Sequence, residues 1–178
     1  MVVIFMQWLP RTSVRIVSIS LAFLFVSALP ISASEQADKE KVVINEQEIG
    51  VATSDFYAAL NVMFTGDGQP MKALWSHASD ITYMGPNGIY LVGWDDVEKE
   101  WDAQAASKLG GKVVAKRIHQ VVGTNLAVIN CIETGENVIN GKSETVELRS
   151  STVFRKEDGA WKVIGHQTDK LGYMAPPQ

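Results

Sequence analysis

The chain has 178 residues, 20 of them acidic and 16 basic, with a formal net charge of −4. Without residues 1–33, which carry Arg11 and Arg15 and no acid, 14 basic and 20 acidic residues remain, a net charge of −6. That length builds one domain with a real core, and that charge argues against nucleic acid or an anionic membrane surface as partner.

Residues 1–15 are basic at Arg11 and Arg15, and Ile16 to Leu29 is a 14-residue run without charge. Pro30 breaks the run, and Ser32, Ala33 and Ser34 follow. This order reads as a secretory signal peptide over 1–33, cleaved near Ala33. Fourteen apolar residues are short for a membrane span, which needs about 20; a retained anchor is the alternative. The mature protein is therefore expected to be exported, periplasmic or secreted, with no membrane attachment after cleavage. Cys131 is the only cysteine, so no internal disulfide can form. It lies in an apolar stretch and reads as a small buried hydrophobe.

Residues 34–44 (SEQADKEKVVI) read as a flexible lead-in. Asn45 followed by Glu48 suggests an N-cap with a capping-box partner. Ile49, Ala52, Phe56, Ala59, Leu60 and Met63 then recur at helical spacing, which predicts a first helix from about Glu46 to Thr65. Gly66-Asp67-Gly68 stops it. Pro70 opens a short second helix, Met71 to Ser76. Ile81–Met84 and Ile89–Val92 form a hairpin about Gly85-Pro86-Asn87-Gly88. A third helix follows from Trp94 or Asp95, with Val97, Trp101 and Ala105 on one face. Four strands complete the chain: 112–122, 126–134, 143–156 and 160–171. A polar loop is expected over 135–142, a hairpin turn at Glu157-Asp158-Gly159, and a loose tail over 172–178. The sum is an α+β domain over 45–171, with three helices packed on a curved antiparallel sheet around a pocket.

This layout resembles the NTF2-like superfamily, in particular its SnoaL-like branch. The carrying phrases are FYAALNVMFTGD (56–67), LWSHASDITYMGPNG (74–88) with VGWDDV (92–97), and TVFRKEDGAWKV (152–163). The resemblance implies a cone-shaped (cystatin-like) domain with one deep pocket, commonly dimeric through the outer face of the sheet. It also implies a carboxylate or His inside the cone where members do chemistry. The fold hosts isomerases, cyclases, dehydratases, binding proteins and assembly modules, so it leaves the function open. In ketosteroid isomerase, a relative, a general-base Asp precedes a Pro in the first hairpin. The matching dipeptide here is Gly85-Pro86, which has no base.

Tyr57, Tyr83 and Trp94 combine an apolar body with a polar tip and suit a pocket wall. Tyr57 is also a candidate donor to an oxyanion. Phe56, Trp75 and Trp101 read as core, with Trp75 kept as a candidate ligand contact. Asp80, five residues before Gly85, reads as a turn residue at the mouth or a weak candidate base. On the last strand, alternation groups Trp161, Val163, Gly165, Gln167 and Asp169 on one face and Lys162, Ile164, His166, Thr168 and Lys170 on the other. Gln167 then becomes a ligand contact and Asp169 a candidate acid or base. His166 falls on the opposite face: a dimer contact, a structural His, or a group reaching the pocket. His119 reads as sheet surface and His77 as the cation at the end of the second helix. The three His are scattered, so no metal is expected. No phosphate loop or dinucleotide fingerprint is present, so no cofactor is expected.

Three readings follow. The first is an exported protein whose pocket binds a small, mostly apolar molecule as a homodimer. The alternatives are an isomerase, cyclase or dehydratase, and a non-catalytic dimerisation or assembly module.

Overall fold

A computed structural model describes residues 32–170. The expected leader lies outside these residues except for Ser32 and Ala33, and the expected tail lies outside them entirely.

The first helix, α1 (Ala33–Met63), is 31 residues long and begins well before Glu46. Ser32 caps it by accepting from the Glu35 amide at 3.2 Å. Lys39 and Glu35 pair one turn apart at 2.9 Å. The stretch 34–44 is helical although every residue of it is exposed. Ala, Glu, Gln and Lys are good helix formers, and extending an existing helix is far cheaper than nucleating one. This stretch, expected as a flexible lead-in, is helical and packs against nothing among the described residues. Beyond it, Ile49, Phe56, Ala59 and Met63 bury one face.

Asn45 and Glu48 do not cap a helix start; they tie α1 to the sheet. Asn45 is 1% exposed. Its amide donates to the carbonyls of Gly123 at 2.8 Å and Thr124 at 3.2 Å. Glu48 accepts from Lys156 at 2.6 Å and from the Trp161 indole at 2.9 Å.

Helices α2 (Gln69–Leu74) and α3 (Trp94–Ser107) complete the layer. Val97, Trp101 and Ala105 are the buried face of α3. Lys72 joins the two by pairing with Asp102 at 2.8 Å.

Six strands form one sheet: β1 (Thr82–Met84), β2 (Tyr90–Val92), β3 (Lys112–Val122), β4 (Leu126–Ile139), β5 (Lys142–Glu157) and β6 (Ala160–Asp169). Their order is β2-β1-β6-β5-β4-β3. The sheet is mixed, not purely antiparallel, because β1 runs parallel to β6, with Tyr83 opposite His166. The two strands are joined by no hairpin, so no tight turn dictates their sense. The polar stretch 135–142 is mostly strand. β4 and β5 stay paired to Ile139 opposite Lys142, and the turn shrinks to Asn140-Gly141, with φ of 52° and 75°. Two positive φ values make the tight hairpin turn that Asn-Gly favours.

Two strands carry one extra residue each. In β3, Arg117 faces Cys131 and His119 faces Asn130, which leaves Ile118 unpaired. In β6, Gly165 faces Val153 and Val163 faces Phe154, which leaves Ile164 unpaired. Such a bulge breaks the two-residue alternation. Trp161 and Val163 are buried before it, and His166 and Thr168 after it.

Candidate functional site

A cavity of about 380 Å³ lies between the helices and the sheet. Phe56, Leu60 and Phe64 of α1, Trp101 of α3, Tyr83 of β1 and Leu148 of β5 supply most of its apolar wall. Exposed Asn87, Glu144 and Lys170 mark its mouth. That size and lining are ordinary for a small-molecule site.

A group of buried polar side chains meets at the deep end. Glu133 stands on the β4 phase of Ala127, Ile129 and Cys131, and all four are 3% exposed or less. The Tyr57 hydroxyl, projecting from α1, donates to Glu133 Oε1 at 2.8 Å. Ser150 Oγ of β5 lies 3.2 Å from the same hydroxyl. His166 Nε2 lies 3.8 Å from Glu133 Oε1, and its Nδ1 lies 2.9 Å from Thr152 Oγ1. The imidazole is held between Phe56, 4.8 Å away between ring centres, and Tyr83, nearly parallel at 6.3 Å. Glu133 and His166 both line the cavity.

Burial sets the protonation of these groups. It raises the Tyr57 pKa far above the ordinary phenol value, and the neighbouring Glu133 charge adds to this. Tyr57 therefore stays protonated and can only act as a donor to the carboxylate. Tyr83 is pushed up to about 12, chiefly by burial. Burial lowers the His166 pKa and outweighs the opposing pull of Glu133. Near neutral pH the imidazole is uncharged. The deep end thus offers the Glu133 carboxyl beside a neutral imidazole, in a largely apolar surround. Those are the parts of a proton relay.

The residues singled out from sequence separate into three groups. Tyr57 and Tyr83 converge on this cluster. Tyr83 also accepts from Gln104 at 3.0 Å. The Tyr57 hydroxyl, a candidate oxyanion donor, is instead committed to Glu133. Trp75 is 1% exposed within the core and packs on Trp101 and Tyr83 off the cavity wall; its indole N–H has no partner among the described residues. Trp94 is half-buried and stacks on His77 at 3.9 Å, also off the wall.

Gln167 and Asp169 lie on the opposite face of the sheet from the cavity, because the bulge at Ile164 reverses the alternation that assigned them inward. Asp169 pairs there with Arg149 at 2.9 Å. The same reversal brings His166 in. Asp80 lies at an exposed turn and is held by Arg155 through two bonds of 2.7 and 3.1 Å; that cation depresses its pKa.

Glu133 escaped sequence reasoning. Its signal was present: an acidic residue in phase with three apolar neighbours on a strand. Gly85 shows why the carboxylate comes from β4. A Cβ on Gly85 would lie 2.9 Å from the Tyr83 hydroxyl, so the space for a base in the first hairpin is already taken.

No curated protein matches the sequence. Solved structures do match in fold. An NTF2-like superfamily protein from Salmonella enterica serovar Typhimurium aligns with a TM-score of 0.64 at 17% identity, over 76% of this chain and 99% of that one. An NTF2-like protein with a cystatin-like fold from Novosphingobium aromaticivorans gives 0.63 at 15% identity, over 81% and 93%. A ketosteroid isomerase-like protein from Erwinia carotovora atroseptica gives 0.61 at 18%, over 75% and 98%. At such identities the likeness speaks for the fold alone. The family model described as "SnoaL-like domain" matches residues 52–168, a span that runs from within α1 to the end of β6 and takes in Tyr57, Glu133 and His166. The chain belongs to the SnoaL-like domain family, and its fold is the one seen in NTF2-like proteins.

Proposed function

We propose that this is an exported protein, periplasmic or secreted, whose cavity binds a small, mostly apolar molecule. The observation that carries the reading is a cavity of about 380 Å³ walled by Phe56, Leu60, Tyr83, Trp101 and Leu148, with buried Glu133 and His166 in its lining. Such a lining favours a hydrophobic body with one polar group that sits against Glu133 and His166. The order of charge, apolar run and small residues over 1–33 supports export. A thermal-shift screen of purified protein against one- and two-ring organic molecules tests the binding. The reading stands if a subset raises the melting temperature and a bulky Leu60→Trp variant loses the shift. It fails if no apolar molecule stabilises the protein.

A second reading, an isomerase, cyclase or dehydratase type of enzyme, draws on one observation: Glu133 and His166 meet within 3.8 Å inside the cavity. In this reading Glu133 accepts a proton from bound substrate, His166 relays it, and Tyr57 and Ser150 hold the carboxylate in place. Incubation of small cyclic ketones with the protein in D2O, followed by NMR, tests it. Protein-dependent deuterium uptake beside the carbonyl, lost in Glu133→Gln, is the expected result. Uptake that survives that change assigns the chemistry elsewhere.

We also propose a homodimer through the face of the sheet turned away from the helices. Val114, Ile118 and Val121 expose 51%, 61% and 59% of their surface there, an apolar cluster with nothing over it among the described residues. Light scattering that finds a monomer at micromolar concentration would rule this out, and with it the assembly-module alternative.

A further inference from the structure

The charge balance of the cavity narrows the class of molecule it takes. Glu133 is 3% exposed, and its Oε1 receives one hydrogen bond, from Tyr57. Among the described residues no donor reaches Oε2. A buried carboxylate is retained in proteins when a cation or several donors compensate it. Among the described residues the one basic side chain within 4 Å of Glu133 is His166, at 3.8 Å, and burial lowers its pKa. The remaining charged groups of the lining do not help. Glu100 and Glu144 are carboxylates, and the one amine, Lys170, is exposed at the mouth. The deep end therefore holds a carboxyl group with one oxygen free for a donor and no lysine or arginine paired with it among the described residues. Phe56, Tyr83 and Trp101 line the same cavity, and aromatic rings attract cations.

We propose that the polar group seated at Glu133 is a cation, and that the ligand is a small amine with an aromatic or aliphatic body. Its ammonium bonds Glu133 Oε2, and its apolar part packs against Phe56, Tyr83 and Trp101. Carboxylic acids of the same shape are excluded, because they would place a second carboxyl group against the first. Neutral alcohols fit but bring no cation to Glu133. This rests on the reading of the cavity as a ligand site and adds the charge of what enters it.

Calorimetric titration of the full chain with matched series separates the two. One series is tryptamine, its alcohol tryptophol, and indole-3-propionic acid; a one-ring series is 2-phenylethylamine, 2-phenylethanol and 3-phenylpropionic acid. Each amine is expected to bind at least about tenfold more tightly than its alcohol, equivalent to one factor of ten in Kd, with no measurable binding of the acid. In Glu133→Gln, which keeps the side-chain shape and an acceptor for Tyr57, the advantage of the amine over its alcohol should disappear. Alcohols that match or beat the amines overturn the cation preference and leave the ligand-site reading intact. An amine preference that survives Glu133→Gln overturns the role of Glu133 and moves the preference to the mouth carboxylates. Binding of no member of either series defeats both the preference and the cavity reading. The wild-type comparison across ligands decides the question even if the variant does not fold.

Discussion

Two polar clusters flank α1, and they are built on opposite principles. Near its middle, Asn45 and Glu48 meet Lys156, Trp161 and the β3–β4 turn. There each polar group has a partner, and the charges lie at the solvent boundary as a pair. Two turns further along, Tyr57 meets Glu133, Ser150 and His166 in the interior, where one carboxylate oxygen and one imidazole nitrogen lack close partners. The first cluster orders the helix on the sheet. The second leaves a carboxyl and an imidazole facing the cavity with fewer close partners. The contrast teaches that burial of a polar group says little until its partners are counted.

The sharpest test of the contrast is removal of Asn45. Asn45→Ala removes the two part-buried hydrogen bonds from Asn45 to the carbonyls of Gly123 and Thr124, each contributing about 0.5–1.5 kcal/mol. Alanine returns only a few tenths through helix propensity. Urea unfolding should show a net loss of about 2 kcal/mol with an unchanged m-value. An effect near zero would mean that the carbonyls find water, and the cluster would lose its structural role.

Glu133→Gln should move stability the other way. It replaces a buried carboxyl that has one close donor by an amide that keeps an acceptor for the Tyr57 hydroxyl, so a gain of up to about 1 kcal/mol is expected. The same unfolding curves measure it. A loss as large as that of Asn45→Ala would make Glu133 a structural tie and erase the difference between the clusters.

The two clusters were unequally legible in the sequence. The core faces followed directly from periodicity: Val97, Trp101 and Ala105 on α3, and Leu148, Ser150, Thr152 and Phe154 on β5, are buried as their spacing implies. The phrases that carried the family likeness lie mostly within the span that the family model matches. The cavity floor was harder to read because one unpaired residue, Ile164, reverses the inside and outside of the last strand. Alternation is a rule about ladders, and nothing in Val-Ile-Gly-His announces an extra residue in the ladder. Gly165 next to a β-branched pair was the one hint, since glycine inside a strand often marks a bulge. Glu133 was readable by the same alternation, applied to β4 where no bulge intervenes. The start of α1 was missed for a different reason. Its early turns are held by intrinsic propensity, a cap and one ion pair, and none of these produces an apolar stripe.

His166 gives a smaller, pH-dependent effect. Its pKa is lowered in the fold from the ordinary 6.5, so the unfolded chain takes up this proton first as pH falls. The stability it contributes is present above pH 6.5 and is lost as pH drops toward the lower folded value. Glu133 pulls in the opposite direction and limits the loss. Glu48 and Asp80, whose pKa values are lowered from 4.5 and 3.8, act only at more acidic pH. Melting temperatures at pH 7 and pH 5 should therefore fall further for wild type than for His166→Gln. Equal slopes would mean that the imidazole is not held neutral.

The smallest effect is expected at Asp80, the carboxylate that sequence alone nominated as a base. Arg155 grips it with two bonds, yet 63% of its side chain is exposed, where water and salt screen the pair. Arg155 also keeps a second partner, Glu157, at 2.7 Å, so Asp80→Asn leaves the guanidinium paired. The variant should melt with wild type at moderate salt and bind ligands of the cavity unchanged. A loss of binding in Asp80→Asn comparable with that of Glu133→Gln would carry the site out to the turn before β1 and undo the assignment of its chemistry to the buried cluster.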